Sequence, residues 1–594
     1  MPVDQTGENV MFVVADGQVE AHIQIQYTGD PERFAWIVPV LAEPTVQVGS
    51  DLLFTELLDA TVPTFTVVNR SENCGSGGGG GGSDEDGGMG CGMSSADQPL
   101  ARFDDAAQDE DLEPDHPTVR QRELAGSFEY VVLEGGSVDG VVQWLDENGF
   151  QQDDDAPPIL QQYIDEGFLF VAFKLRSGHG VDQIHPIVLR YAGDEACVPL
   201  RLTRIAARDD MGVRTFFLGR ERVVPTNFGH IQLNPLKLDW TRPAVDYERV
   251  VTRAVDEDGA DGHAFVTEYA GTSDVVSPST IASPSWRADP FRDASPENLT
   301  ELLADQGLMT CTLTDCFPAH PLIPSLLQTF VPPPPGVDAR MFYTCTSCYA
   351  DWRPTDPSAD GSTGERDDTG SSGGDTDDVY GTSTGTGTGG EPNDPAPDPD
   401  PASEAWPASW DPQGLADALE ERVIAPSEHA VSLLAKYPYL TRMYTTLSPS
   451  EMTRDPLFAE QDRLPDVSND WSATRFNRCG GPDRLELEDG SVVWFTDDDQ
   501  RPEFDAMPFA RVIEQFFRGA PMTIRDHGET IDAALEAWNA EHAGPDMTPD
   551  DELGANDDDG GSVCACNSTS PLRGSGTMTL LLILGLCFRR RQRN

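Results

Sequence analysis

The sequence predicts an α+β fold: a mixed, mostly antiparallel sheet with helices against it, followed by a smaller, mainly helical C-terminal piece. Three observations carry this expectation. Near the N-terminus Ile23, Ile25 and Tyr27 alternate with Gln24 and Gln26, the period of two that marks a half-buried strand. Further on, apolar residues recur at helical spacing, Val138, Val141, Val142 and Leu145, then Ile159, Leu160, Tyr163 and Ile164. Between such ordered runs lie long acidic or Gly-rich stretches without periodicity, and 55 Gly and 47 Pro among 594 residues, with a hydrophobic fraction of 38%, mark them as disordered.

Taken in order, residues 9–40 read as a β-hairpin, with Thr28-Gly29-Asp30-Pro31 turning the first strand into a second at Phe34-Ala35-Trp36-Ile37-Val38. Gly49-Ser50-Asp51 caps a short helix that carries Leu53, Phe54, Leu57 and Leu58 on one side, and Pro63 stops it. Residues 70–116 are a Gly- and acid-rich insert. The fold resumes near Phe128 with the strand Tyr130-Val131-Val132-Leu133 and a helix ended by Gly149. A second helix opens at Pro157-Pro158 and ends at Gly167, and Phe168-Leu169-Phe170-Val171-Ala172-Phe173 reads as a fully buried strand. More strands are expected at 185–191, 198–205 and 213–219.

Gln26-Tyr27-Thr28-Gly29-Asp30 is echoed by Arg190-Tyr191-Ala192-Gly193-Asp194, which reads either as common hairpin grammar or as two related hairpins in a duplicated sheet. Residues 290–330 look helical, with Leu299, Leu302 and Leu303 clustered, and further helices are expected near 414–423 and 427–436. The resulting map has an α+β domain at 1–245, a mixed continuation with cysteine pairs at 246–350 and a disordered linker at 351–409. A helical piece at 410–530, an acidic spacer at 531–573 and a sorting tail at 574–594 complete it.

The charge balance excludes a function class. With 102 acidic against 40 basic residues the formal net charge is −62, and phosphate binding needs clustered Lys and Arg, so no nucleic-acid partner is expected. Eleven cysteines fall largely in close pairs: Cys74 with Cys91, Cys311 with Cys316, Cys345 with Cys348, Cys564 with Cys566. Such pairs read as disulfides in an oxidising compartment. Cys311, Cys316, Cys345 and Cys348 could instead supply a four-thiolate zinc site, although the basic and turn residues of a zinc ribbon are missing. A thioredoxin-like role for Cys345-x-x-Cys348 lacks a clear helix after it.

Asp256, Asp258 and Asp261 space carboxylates as some calcium loops do, but the distant bidentate Glu of an EF-hand is not at its place, and a solvated acidic loop is the plainer reading. Beyond that calcium possibility no cofactor is expected. His179 and His185 lie near Lys174 and Arg176, and His185, before Pro186 at a strand start, reads as structural. Gly381-Thr382-Ser383-Thr384-Gly385 matches a nucleophile motif only in letters, since it lies in the linker and not on a strand-turn-helix. No zinc-protease or P-loop motif is present in the sequence.

The C-terminus carries the compartment signal. Met578 to Phe588 is mostly apolar and is followed at once by Arg589, Arg590, Arg591 and Arg593. This is shorter than the roughly 20 residues that span a bilayer comfortably, yet the arginines should stay in the cytoplasm and leave everything upstream outside. Cys564-Ala565-Cys566, a short Gly/Ser/Pro spacer, the apolar stretch and the Arg cluster together resemble the C-terminal sorting signals of myxobacteria and their relatives. That resemblance implies membrane anchoring and a sorting or processing machinery as partner, acting at Cys566 or Cys564. Met1-Pro2-Val3-Asp4-Gln5 has neither a basic nor an apolar signal region, so the natural start is expected upstream.

The ordered segments also resemble an uncharacterised myxobacterial family, the domain-of-unknown-function group numbered 2330. The matching stretches are Ile23-Gln24-Ile25-Gln26-Tyr27 through Val40, Leu189-Arg190-Tyr191 through Leu200, and Tyr439-Leu440-Thr441-Arg442-Met443-Tyr444 through Asn469. The family implies no known activity. The functional expectation is therefore an exported, surface- or membrane-anchored binding or envelope-structural module without enzymatic activity. The alternative is a secreted hydrolase whose site residues lie too far apart in sequence to be seen.

Overall fold

The computed structural model describes residues 4–28, 35–71, 116–150, 155–176, 180–242, 245–312, 315–352, 406–478, 482–496, 504, 506–517 and 521–543. Residues 10–13, Val-Met-Phe-Val, are buried on both faces of an extended chain, and a strand of that kind belongs in the middle of a sheet. Strand Asp4–Ala15 pairs antiparallel with Gln18–Thr28 across Asp16-Gly17, whose φ angles of 56° and 72° are those of a tight hairpin turn. Its other edge pairs in parallel with Ala207–Gly219.

Among the described residues this sheet has ten strands. Their order is Met522–Asp526, Ala510–Gln515, Gly229–Leu233, Ala264–Thr272, Tyr439–Leu447, Ala207–Gly219, Asp4–Ala15, Gln18–Thr28, Ile187–Ala192 and Thr45–Val48. Seven of the nine neighbouring pairs are antiparallel, so the α+β class with a mixed, mostly antiparallel sheet is what forms.

Side-chain alternation sorts the layers. On one face Val10, Phe12, Val19, Ala21, Ile23, Leu189 and Phe217 pack against a second sheet of Ala35–Val40, Leu169–Leu175, Phe128–Glu134 and Thr118–Ala125. The far side of that second sheet, through Ile37, Val131, Leu133, Phe170 and Ala172, is covered by helices Val138–Glu147 and Ala156–Asp165. Phe168–Phe173 was thus legible as a fully buried strand because both its neighbours are packed layers. The opposite face of the ten-stranded sheet presents Met11, Val13, Phe216 and Leu218 to helices Asp51–Thr61 and Ala425–Lys436. Ser50 caps the first of these, its hydroxyl accepting from Leu53 N at 3.2 Å.

Five expectations are corrected. Gln18–Thr28 and Ala35–Val40 do not form a hairpin: the first pairs with Asp4–Ala15 and Ile187–Ala192, the second with Leu169–Leu175 in the other sheet. The strands that carry the two echoed segments are antiparallel neighbours, paired from Gln18 with Ala192 to Ile23 with Ile187, so the echoed residues fall at opposite ends of that pairing and do not each open a hairpin. The strand expected at 198–205 is a single helical turn, Leu200–Thr203, started by Pro199, with only Ala196–Cys197 extended before it.

The largest correction concerns 410–530. Helices Pro412–Leu419 and Ala425–Lys436 form as expected, but seven strands follow among the described residues, so this piece is not mainly helical. Tyr439–Leu447 is rich in aromatic and β-branched residues and is buried almost throughout, between Ala264–Thr272 and Ala207–Gly219. Residues 531–542, placed in the acidic spacer, lie in the helix Gly528–His542, which buries Ile531 and Leu535 one turn apart.

Helices Leu299–Asp305 and Ile323–Phe330 confirm a helical 290–330, interrupted by the short hairpin Met309–Cys311 and Cys316–Pro318. Their core also takes in Phe342, Trp406, Leu415 and Leu419. The insert at 72–115, residues 353–405 of the linker and 544–594 lie outside the described residues.

Candidate functional site

Period-two geometry gives strand Gln18–Thr28 two faces. Val19, Ala21 and Ile23 face the inter-sheet core, so Glu20, His22 and Gln24 face the other way, toward helix Ala425–Lys436. On the adjacent strand Arg190 lies between core residues Leu189 and Tyr191 and so shares that polar face.

The helix on that side is shaped by one residue. Pro426 has no N–H, so the carbonyl four residues earlier loses its helical partner, and the chain widens into a π-turn over Glu420–Ile424. Ala425 N donates to Glu420 O across the wider turn. Glu421 accepts from Gly126 N at 2.9 Å. Gly126 has φ +60°, and a Cβ there would lie 2.3 Å from His185 Nε2, so the contact requires glycine.

Between the helix, strand Thr45–Val48 and the edge residues Leu124 and Ala125 opens a cleft of about 410 Å³. Its polar lining is Gln47, Arg190, Glu421 and His429. Two of these, Arg190 and His429, also bond the Glu20 carboxylate, which does not itself line the cleft and gathers three partners. Oε1 lies 2.8 Å from His22 Nε2 and 2.5 Å from His429 Nε2, and Oε2 accepts from Arg190 Nε at 2.8 Å. Arg190 also bonds Gln47 Oε1, and its Nη2 sits 2.7 Å from His429 Nε2. The two imidazoles stack at 5.8 Å with 7° between planes.

His22 is buried, Glu20 nearly so, and His429 is part-exposed to the cleft. Burial works to raise the Glu20 carboxyl, but hydrogen bonds from His22, His429 and Arg190 outweigh it and hold it far below the usual carboxylate range. Burial pushes the His22 imidazole down, with Glu20 working against it. The arrangement is a fixed anion ringed by donors, open on one side. The described residues lining the cleft include no serine, threonine or cysteine to act as a nucleophile.

A second polar cluster has the order hydroxyl, imidazole, carboxylate. Thr267 Oγ1 lies 2.9 Å from His230 Nε2, and His230 Nδ1 lies 3.0 Å from Glu514 Oε1. All three are buried, and Arg222 Nη2 donates to the Thr267 hydroxyl at 3.1 Å. A buried hydroxyl already held by a guanidinium sits beside the bulge in strand Ala264–Thr272, and none of the three residues lines the cleft of Arg190 and His429.

The residues singled out in the sequence fall differently. Asp256, Asp258 and Asp261 do not converge. Asp258 pairs with Arg525 at 2.8 Å, Asp256 is pushed up to about 6 by burial and the neighbouring Glu451 carboxylate, and Asp261 O accepts from His263 Nδ1. Among the described residues the one trio of His, Cys, Asp or Glu ligand atoms within 4.8 Å is Glu20, His22 and His429, so the calcium reading of the acidic loop is not supported by its geometry.

Cys311–Cys316 and Cys345–Cys348 are disulfides, with the thiolates paired locally and no four-thiolate zinc site formed from them. His185 is structural, its Nδ1 bonding Pro186 O and its Nε2 accepting from Ser127 N. Cys74, Cys91, His179, Cys564, Cys566, Arg589, Arg590 and Arg591 lie outside the described residues. No helix among the described residues is long and apolar enough to cross a membrane.

Sequence reading missed the Glu20 cluster. The signal was there in part: Glu20 and His22 continue the alternation noticed from Ile23 onward, on its polar face. His429, 409 residues from Glu20, gives no such signal.

A family model described as "Uncharacterized protein conserved in bacteria (DUF2330)" matches residues 3–305, just over half of the chain. The match contains Glu20, His22 and Arg190 but ends before His429 and before the third resembling stretch at 439–469. No curated protein and no solved structure matches the chain.

Proposed function

The chain belongs to this uncharacterised bacterial family, and we propose that it is an exported, envelope-anchored binding module that holds a ligand in the cleft lined by Arg190 and His429. The cleft carries the proposal: Gln47, Arg190, Glu421 and His429, from three separate elements, converge on one concave surface backed by a packed sheet. A lining without serine, threonine or cysteine favours binding over acyl-transfer chemistry of the hydroxyl or thiol kind. The hydrolase alternative has one observation in its favour, the Thr267–His230–Glu514 order, and the burial of all three residues weighs against substrate access.

Two features support export. Disulfides at Cys311–Cys316 and Cys345–Cys348 suit an oxidising compartment. The apolar run before Arg589, Arg590 and Arg591, with Cys564 and Cys566 upstream, fits a sorting tail that anchors in the membrane and is processed there. The net charge of −62 keeps such a body soluble and away from nucleic acid. A membrane-impermeant amine-reactive biotin applied to spheroplasts tests the compartment. Labelled protein whose four bridged cysteines resist alkylation until reduced is expected; unlabelled protein with free thiols in the cytoplasmic fraction would refute export.

A further inference from the structure

We propose that Glu20, His22 and His429 form a site for a divalent transition metal of zinc type beside the cleft, joined to it through His429, which deepens and rests on the binding reading of that cleft. The donor set is two imidazoles and one carboxylate, the chemistry that zinc and its neighbours take, and each residue is held by a rigid element. Glu20 and His22 stand two apart on one strand face, and His429 comes from the second turn of the helix above them.

The geometry is close to a coordination triangle. Both histidines aim Nε2 at the same carboxylate oxygen, at 2.8 and 2.5 Å. Around a tetrahedral zinc with bonds of about 2.0–2.2 Å, neighbouring ligand atoms stand roughly 3.4 Å apart. A cation therefore enters with side-chain shifts on the order of 1 Å and no movement of backbone.

Two further observations set this trio apart from an ordinary hydrogen-bonded carboxylate. His429 Nε2 meets a carboxylate oxygen at 2.5 Å and a guanidinium nitrogen at 2.7 Å. One ring nitrogen cannot donate to the first and accept from the second, so either tautomer leaves one contact repulsive. A cation between the imidazole lone pair and the carboxylate removes the repulsion between those two, and Arg190 Nη2 then turns from His429 to Glu20 Oε1, to which it already donates at 3.3 Å. Secondly, His22 is 1% exposed and its Nε2, the nitrogen a metal would take, already faces the carboxylate.

Arg190 fits as an outer partner. Its Nε bond to Glu20 Oε2, the oxygen turned away from the histidines, orients the carboxylate, while Nη1 is already tied to Gln47. His429 and Arg190 line the cleft and are part-exposed, so water or a donor atom of the cleft's ligand can complete the coordination from that side.

The test uses the full chain, untagged, with free thiols alkylated so that the tail cysteines cannot bind metal, treated with chelator and titrated with zinc chloride in a calorimeter. One saturable equivalent is expected, weakened at least about 100-fold in His429→Ala, beyond the 10–100-fold usual for losing an outer partner. His429 is part-exposed, so this variant keeps the fold. Cobalt in place of zinc should give the visible spectrum of a tetrahedral nitrogen and oxygen site. Absence of a saturable equivalent, or an unchanged isotherm in His429→Ala, overturns the assignment. If zinc fails to bind while a carried ligand remains sensitive to a bulky residue at Ala425, the metal falls and the cleft reading stands.

Discussion

Replacing Arg442 with methionine is expected to cost about 3–5 kcal/mol of folding stability, the usual penalty for stranding one member of a buried ion pair. Arg442 sits in the middle of the ten-stranded sheet, 3% exposed, with Nε donating to Glu268 Oε2 at 2.5 Å. Glu268 comes from the neighbouring strand and is equally buried, beside the bulge between Thr267 and Tyr269. Arg442 Nη1 also donates to Leu58 O and Thr61 Oγ1 at 3.2 Å, capping the C-terminal end of helix Asp51–Thr61, where a cation is favourable. One guanidinium thus fastens a covering helix to the sheet. Methionine keeps most of the volume and takes the guanidinium away from buried Glu268, which keeps the Tyr247 hydroxyl as a partner. The double variant Arg442→Met with Glu268→Leu removes both charges and should recover much of the loss. Urea unfolding of the three proteins checks this; a loss below about 1 kcal/mol, or no recovery in the double variant, contradicts it.

The second large effect is on pH dependence. His320 is buried just before helix Ile323–Phe330, its Nδ1 accepting from Leu322 N at 3.2 Å while Nε2 has no partner. Burial, helped by nearby His185, pushes its pKa down to about 4, against about 6.5 in an unfolded chain. The sign follows from which state takes up the proton. Below pH 6.5 the unfolded chain protonates this ring and the folded one does not, so stability falls as pH falls, by about 3 kcal/mol at pH 4.

His320→Asn keeps an acceptor for Leu322 N and removes the titration. It should pay a pH-independent packing cost at pH 7 and lose stability less steeply from pH 6.5 to 4. Parallel stability curves for the two proteins would show that the folded state protonates this ring as readily as the unfolded chain, and would contradict the account.

How much of this could be read from the sequence depends on the range of the interactions. Local signals were reliable. Ser50 and Pro63 bound a helix, Gly149 and Gly167 end two more at φ +81° and +82°, and Cys311 and Cys345 pair with the nearest cysteine. Strand pairing was not local and was missed where turn grammar was trusted. Thr28-Gly29-Asp30-Pro31 looks like a hairpin turn, yet the next strand leaves for another sheet.

The C-terminal piece misled for a related reason. Two helices set the expectation, and Tyr439–Leu447 shows no alternation because both its faces are buried. At the site, Glu20 and His22 lie on the polar side of a readable strand, but only folding brings His429 and Arg190 to them. The acidic loop at 256–261 drew attention through density of carboxylates, and among 102 acidic residues density is a poor guide to convergence.

The cleft as a binding site is tested most directly by native mass spectrometry of the protein isolated without denaturation from its own cells, beside the variant Ala425→Trp. Ala425 lines the cleft and is exposed, so the indole fills the cleft without entering the core. A discrete added mass on the unaltered protein, absent from the variant at equal stability, is the predicted result. Bare protein in both samples, or the same added mass in both, would contradict a binding function at this cleft.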